Sequence, residues 1–280
     1  PGFYATMAAL SGHPALKAVS PQAPILDWFK GDDVHHNGAL MLMDIYSFAP
    51  YMFKKHDNPV EQDHGLPSPI GENAYDWFLL KKTLSDLTAA LPDTLAFWNE
   101  ILQHPHYDGY WKERSLEQHL HDIKPAILVV GGTFDTDDCY GALNTYKLIR
   151  HNSPETDLHF VYGPWTHGGW HESDYEGLGA IEFTKGLSAD FMTDIEYPFF
   201  RYYLEGKGKR PEPVYIAASG SDEWQTMDVW PNKDLNYISL YLNDGKSLSC
   251  EEETAENCVS SYASDPSAPV PFMKDASRRD

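Results

Sequence analysis

The apolar run Ala126-Ile127-Leu128-Val129-Val130 runs straight into Gly131-Gly132, and then into Asp135, Asp137 and Asp138. Five apolar residues without alternation fit a strand buried on both faces. From Asp138 to His151 the spacing turns helical, with Ala142, Tyr146 and Ile149 on one side. Asp157-Leu158-His159-Phe160-Val161-Tyr162 then reads as a second strand. This strand–helix–strand rhythm predicts a parallel sheet and an α/β fold.

The flanking sequence changes style twice. Gly2 to Leu10 reads as a short helix and Lys17 to Pro24 as a strand ending at prolines. Residues 27 to 122 are aromatic and His-rich, with helical spacing over Ala74–Leu91 and Leu95–Leu102; Pro92-Asp93 separates these two helices and caps the second. Ser188 to Glu205 forms an amphipathic helix ending at Gly206. Beyond Gly208-Lys209-Arg210-Pro211, strands are predicted at Pro213–Ala218, Glu223–Met227 and Tyr237–Leu242, with turns such as Asn243-Asp244-Gly245. The resulting division is an α/β part over 1–26 and 124–210, a helical insertion over 27–123, and the start of an all-β domain over 211–280.

Charge narrows the function. The formal net charge is −21, from 42 acidic and 21 basic residues. Such a surface repels nucleic acid and anionic membrane. No run of 18 apolar residues predicts a transmembrane helix. Three cysteines make neither a disulfide framework nor a zinc site, and a Cys250–Cys258 bridge across a hairpin is left open. No metal or cofactor is expected. His35-His36 and His119-Leu120-His121 are too close in sequence to converge on one ion. A calcium loop starting at Asp135 fails because Tyr140 and Tyr146 stand where Gly and Glu are needed.

Asp135 ends one strand, and His167, in Gly163-Pro164-Trp165-Thr166-His167, follows the next. Ligands of open α/β sheets bind at the carboxyl ends of strands. An acid and then a His in this order suit an acid–base pair, in which the carboxylate orients the imidazole and stabilises its cation. Spacing alone equally allows a capping Asp and a loop His. Asp137 and Asp138 also suit the first turn of a helix, and Asp32-Asp33 reads on its own as a solvated loop.

Gly131-Gly132-Thr133-Phe134-Asp135 and Gly163-Pro164-Trp165-Thr166-His167 resemble motifs of the α-amino acid ester hydrolases. These are serine hydrolases grouped with cocaine-esterase-like and glutaryl-cephalosporin-acylase-like enzymes and related to X-Pro dipeptidyl peptidases. Ala23-Pro24 to Asp33, His104-Pro105-His106-Tyr107-Asp108 and Ser264-Asp265-Pro266 through Pro269-Val270-Pro271 fit as well, so the resemblance covers nearly the whole chain. It implies a partial α/β-hydrolase fold with a helical cap, followed by the start of a jelly-roll β-sandwich. It also implies Asp135 as triad acid, His167 as triad base, and Asp33, Asp137 and Asp138 as a cluster holding the substrate's α-ammonium group. Asp137 stands where the family has Glu. Two carboxylates about 5 Å apart repel by roughly 3 kcal/mol at an effective dielectric of ~20, and an ammonium offsets that repulsion.

The family's nucleophile elbow reads Gly-x-Ser-Tyr-x-Gly, and Pro1-Gly2 fits its last two positions. The serine is therefore expected just before Pro1, in a longer parent protein. The 280 residues alone are expected to be inactive and to fold poorly, with an unpaired edge near Val19. The parent is expected to hydrolyse esters or amides of α-amino acids, including acyl transfer to β-lactam nuclei. The resemblance further implies a homotetramer and a periplasmic or secreted location. Two alternatives stand beside this. One is a broad carboxylesterase, glutaryl acylase or X-Pro dipeptidyl-peptidase-like hydrolase. The other is a non-catalytic binding remnant.

Overall fold

The computed structural model describes residues 1–52, 70, 73–91, 95–172, 177–178, 181–182, 186–218, 223–243, 247–252 and 261–271. Its centre is a five-stranded sheet. Strands β1 (Ala18–Val19), β2 (Ala126–Gly132), β3 (Leu158–Gly163), β4 (Val214–Ile216) and β5 (Gln225–Met227) lie in that order. Neighbours among the first four pair in parallel, and β5 runs antiparallel to β4. The architecture is the mixed α/β one that the strand–helix–strand pattern predicts, and β1 forms one edge.

Every residue of β2 is buried, because the sheet is covered on both faces. Ile127 and Val129 join one apolar cluster, with Ala142, Tyr146 and Ile149 of α7 (Cys139–Asn152), Ala9 of α1 (Gly2–Leu10) and Phe160. Ala126, Leu128 and Val130 join the opposite cluster, with Val161, Trp165, Phe191 and Phe199. This alternation is the two-residue period of a strand. Burial of each Val, Leu, Ile or Phe side chain among them contributes about 1.5–3 kcal/mol. The second face is covered by α8 (Leu187–Asp190), a π-helical turn (Phe191–Glu196) and α9 (Tyr197–Glu205), which ends on left-handed Gly206.

Two expectations need correction. The strands at Pro213–Ala218 and Glu223–Met227 do not open a separate β domain. Val214–Ile216 pairs with Phe160–Tyr162 and extends the central sheet, and Gln225–Met227 returns beside it. The Gly- and Pro-bearing break at 206–211 is the loop between a helix and the next parallel strand, and Val214 is fully buried there. The helix expected over Ala74–Leu91 is two helices, α3 (Ala74–Leu80) and α4 (Leu84–Thr88). Thr83 restarts the chain as an N-cap in a reciprocal capping box with Asp86.

A third apolar cluster joins α2 (Leu42–Met52), α4, α5 (Ala96–Gln103) and α6 (Gly109–Lys112) through Val34, Ile45, Tyr46, Leu87, Trp98 and Trp111. Pro92-Asp93 and Cys258 lie outside the described residues. Beyond Met227, the strands among the described residues are β6 (Tyr241–Asn243) and β7 (Ser247–Ser249), paired antiparallel. Tyr237 to Leu240 form no strand. No described helix is long and apolar enough to cross a membrane.

Candidate active site

The loops after β2 and β3 are zipped together by their backbones. Thr133 N–H donates to Gly163 O at 2.8 Å and Phe134 N–H to Trp165 O at 3.0 Å. The approach requires Gly132, since a Cβ there would stand 2.2 Å from Trp165 O. The second loop is anchored from below: buried Trp165 donates its indole N–H to Ser188 Oγ at 2.9 Å, and Ser188 donates to Gly169 O at 2.9 Å. On its far side Trp170 donates to Gln22 Oε1 at 2.9 Å.

These anchors place His167 over the acidic turn. Its Nδ1 lies 3.2 Å from Asp135 Oδ2 and 3.4 Å from Asp138 Oδ2. Two carboxylates face this nitrogen, so the ring proton belongs on Nδ1 and Nε2 is left as acceptor. Asp135 is 2% exposed, and its Oδ1 accepts the N–H groups of Asp137 and Asp138 at 3.1 Å each. The hydrogen bond to Asp135 is the main cause holding the His167 pKa above its ordinary value; burial opposes it, and the charges of Asp135, Asp137 and Asp33 assist.

Asp33 arrives from the loop before α2. Its backbone is left-handed, φ 49°, a conformation Asp tolerates better than most residues. Its N–H donates to Asp137 O at 3.1 Å, which brings Asp33, Asp137 and Asp138 together. Burial, followed by the charge of Asp137, raises the Asp33 carboxyl to about 6. Burial, followed by the charge of Asp44, raises Asp137 to about 6. Asp138, 2% exposed, is raised well above the carboxylate range, by burial and then by the charge of Asp33. Asp137 Oδ1 and Asp138 Oδ1 are buried without a hydrogen-bond partner among the described residues.

This arrangement has one base nitrogen, backed by a carboxylate, beside acidic groups with spare acceptor oxygens. It is able to move a proton at Nε2 and to hold a cation. Atoms of Asp135, Asp137 and His167 lie within 4.8 Å of one another, a spacing that a metal ion could also use. His167 Nδ1, however, is already committed to Asp135. A groove of about 560 Å³ along Leu84, Thr88 and Leu102 contains no ionisable side chain and lies apart from this chemistry.

The sequence reading misjudged Asp32 and overlooked Asp44. Asp32 is not solvated but 0% exposed, and it accepts three backbone N–H groups. Its adjacency to Gly31, whose Cβ would stand 2.3 Å from Tyr140 Cβ, was the available signal of close packing. Asp44 on α2 acts on the cluster through its charge on Asp137.

The fold and this pairing of loops define a hydrolase-type α/β protein, and the chain belongs to the X-Pro dipeptidyl-peptidase family (S15 family), whose profile matches residues 1–169. It is 25% identical to cocaine esterase of Rhodococcus sp. (strain MB1 Bresler) over 294 aligned positions, covering 95% of this chain and 48% of that protein. The structure resembles an aminopeptidase from a marine sediment archaeon (Thaumarchaeota archaeon), with a TM-score of 0.86, 30% identity and coverage of 98% of this chain and 45% of the other. It also resembles an α-amino acid ester hydrolase, with a TM-score of 0.85, 29% identity and coverage of 98% and 46%. The chain thus spans about half the length of the relatives it matches.

Proposed function

We propose that the protein carrying this chain is a serine hydrolase that acts on esters or amides of α-amino acids through an acyl-enzyme. The observation that supports this most is the placing of His167 Nδ1 against Asp135, with buried oxygens of Asp137 and Asp138 that have no partner among the described residues beside the pair.

In this reading His167 Nε2 takes the proton of a serine hydroxyl as Oγ attacks the substrate carbonyl. It then returns the proton to the leaving alcohol or amine, and Asp135 holds the ring orientation and stabilises its cation. The acyl-enzyme is released by water, or by the amine of a β-lactam nucleus in acyl transfer. The serine is placed just before Pro1. Gly2 supports that position, because a Cβ there would stand 2.2 Å from Gln22 O and 2.5 Å from Ala23 O, the close backbone approach an elbow glycine serves.

Asp33, Asp137 and Asp138 take the α-ammonium group. A bound cation relieves their mutual repulsion and fixes the neighbouring carbonyl for attack. An anionic glutaryl side chain would be repelled by the same three charges. The test is the ratio of kcat/KM for phenylglycine methyl ester to that for its des-amino analogue, phenylacetic acid methyl ester. A strong preference for the amino ester supports the reading, and equal rates contradict it.

A further inference from the structure

Helix α7 begins with an unusual division of labour. Its N-cap residue is Asp138, yet the Asp138 side chain makes no capping hydrogen bond. An Asp N-cap ordinarily satisfies the N–H two or three residues on. Here that donor, Gly141 N–H, is taken at 2.6 Å by Oδ1 of Asp32, from a different part of the chain. The other carboxylate oxygen of Asp32 accepts Leu26 N–H and Asp27 N–H, both at 2.8 Å. The packing is built for this contact. A Cβ at Gly141 would lie 1.8 Å from Pro24 O and 2.8 Å from Asp32 Oδ1, and one at Gly31 would lie 2.3 Å from Tyr140 Cβ.

We propose that Asp32 is a positioning residue: by capping α7 in place of Asp138 it seats Asp33 against Asp137 and leaves Asp138 free to face His167. This deepens the ammonium-cluster reading and rests on Asp33 belonging to that site. The titratable groups around Asp32 are Asp27, Asp33, Asp138, Cys139 and Tyr140; those around His167 are Asp33, Asp135, Asp137 and Asp138. All three hydrogen-bond partners of the Asp32 side chain are donors, so the geometry suits the carboxylate, although burial pushes the group up to about 8. Asn in its place has one oxygen for the two ends of the clamp, and its NH₂ group would face an N–H.

The test is the titration of the His167 Cε1 proton by NMR in the wild type, Asp32→Asn, Asp33→Asn and the double variant. Asp33 raises the His167 midpoint by its charge. Displacing Asp33 and neutralising it therefore have the same sign, and each single variant is expected to lower the midpoint by about half a pH unit. The double variant is expected to fall no further than Asp33→Asn alone, because Asp32 acts through Asp33. A wild-type midpoint in Asp32→Asn beside a lowered Tm overturns the proposal, since that marks a role in stability alone. Additive falls in the double variant overturn it too, since they mark a direct charge effect. If Asp32→Asn does not fold, the wild type still decides through hydrogen exchange at Gly141 N–H. Protection equal to the interior of α7 supports the clamp, and rapid exchange overturns it. No substrate enters the titration, so its outcome is separate from that of the ammonium reading.

Discussion

His167 Nδ1 lies 3.2 Å from Asp135 Oδ2, and this contact joins the loop that ends β3 to the loop that ends β2. Loss of the imidazole removes proton transfer altogether. His167→Ala is expected to lower kcat about 10³-fold or more, with secondary structure unchanged by circular dichroism. Asp135→Asn is expected to lower it by a similar factor, because the amide no longer fixes the proton on Nδ1.

The acid limb of the pH–rate profile follows from the same contact. A base must be neutral, and Asp135 and the neighbouring carboxylates hold the His167 pKa up. The acid limb of kcat/KM should therefore fall above the ordinary histidine value, and Asp137→Asn should move it to lower pH. A limb that stays in place in Asp137→Asn would separate the cluster from the base.

The cluster carries a cost that pH reveals. Asp33 and Asp137 each titrate near 6 in the folded protein, above the ordinary value of 3.8. Such groups favour folding fully below about pH 4, and the contribution is lost as pH rises through 6. Asp137→Asn should thus raise stability at pH 7 by about 1–3 kcal/mol and have little effect near pH 4, read by urea denaturation at both pH values. Equal effects at the two pH values would show that the carboxyl is not strained.

Gly141 tests the seat of helix α7. A methyl group there would meet Pro24 O at 1.8 Å. Gly141→Ala is expected to destabilise by about 2–4 kcal/mol despite the better helix propensity of Ala. A neutral or stabilising result would mean that α7 does not sit so close to the Pro24 segment.

Much of this molecule can be read from periodicity. The unalternating run at Ala126–Val130 identified a strand with both faces covered, and the spacing of Ala142, Tyr146 and Ile149 identified the face of the helix that covers one of them. Asp135 and His167 each follow a recognisable strand, which left an acid–base pair beside a capping Asp and a loop His as readings; only the family motifs favoured the pair. The C-terminal assignment failed at Gly206–Pro211, where a loop between helix and strand carries the same glycines and prolines as a domain linker. Asp32 and Asp33 show the sharper limit. The two are identical and adjacent, yet one is clamped by three backbone N–H groups and the other faces the cluster. What separates them is which backbone approaches, and that depends on Gly141 in a distant part of the chain.

The most direct test of the ammonium cluster is the Asp138→Asn variant of the protein carrying this chain, measured with phenylglycine methyl ester and phenylacetic acid methyl ester. Asp138 keeps a buried oxygen without a partner among the described residues, beside His167, and of the three cluster carboxyls it alone is buried. The account predicts that the preference for the amino ester, as a ratio of kcat/KM values, shrinks about 10- to 100-fold, equivalent to about 1.4–2.8 kcal/mol. A preference that is unchanged while both esters are still hydrolysed would contradict it.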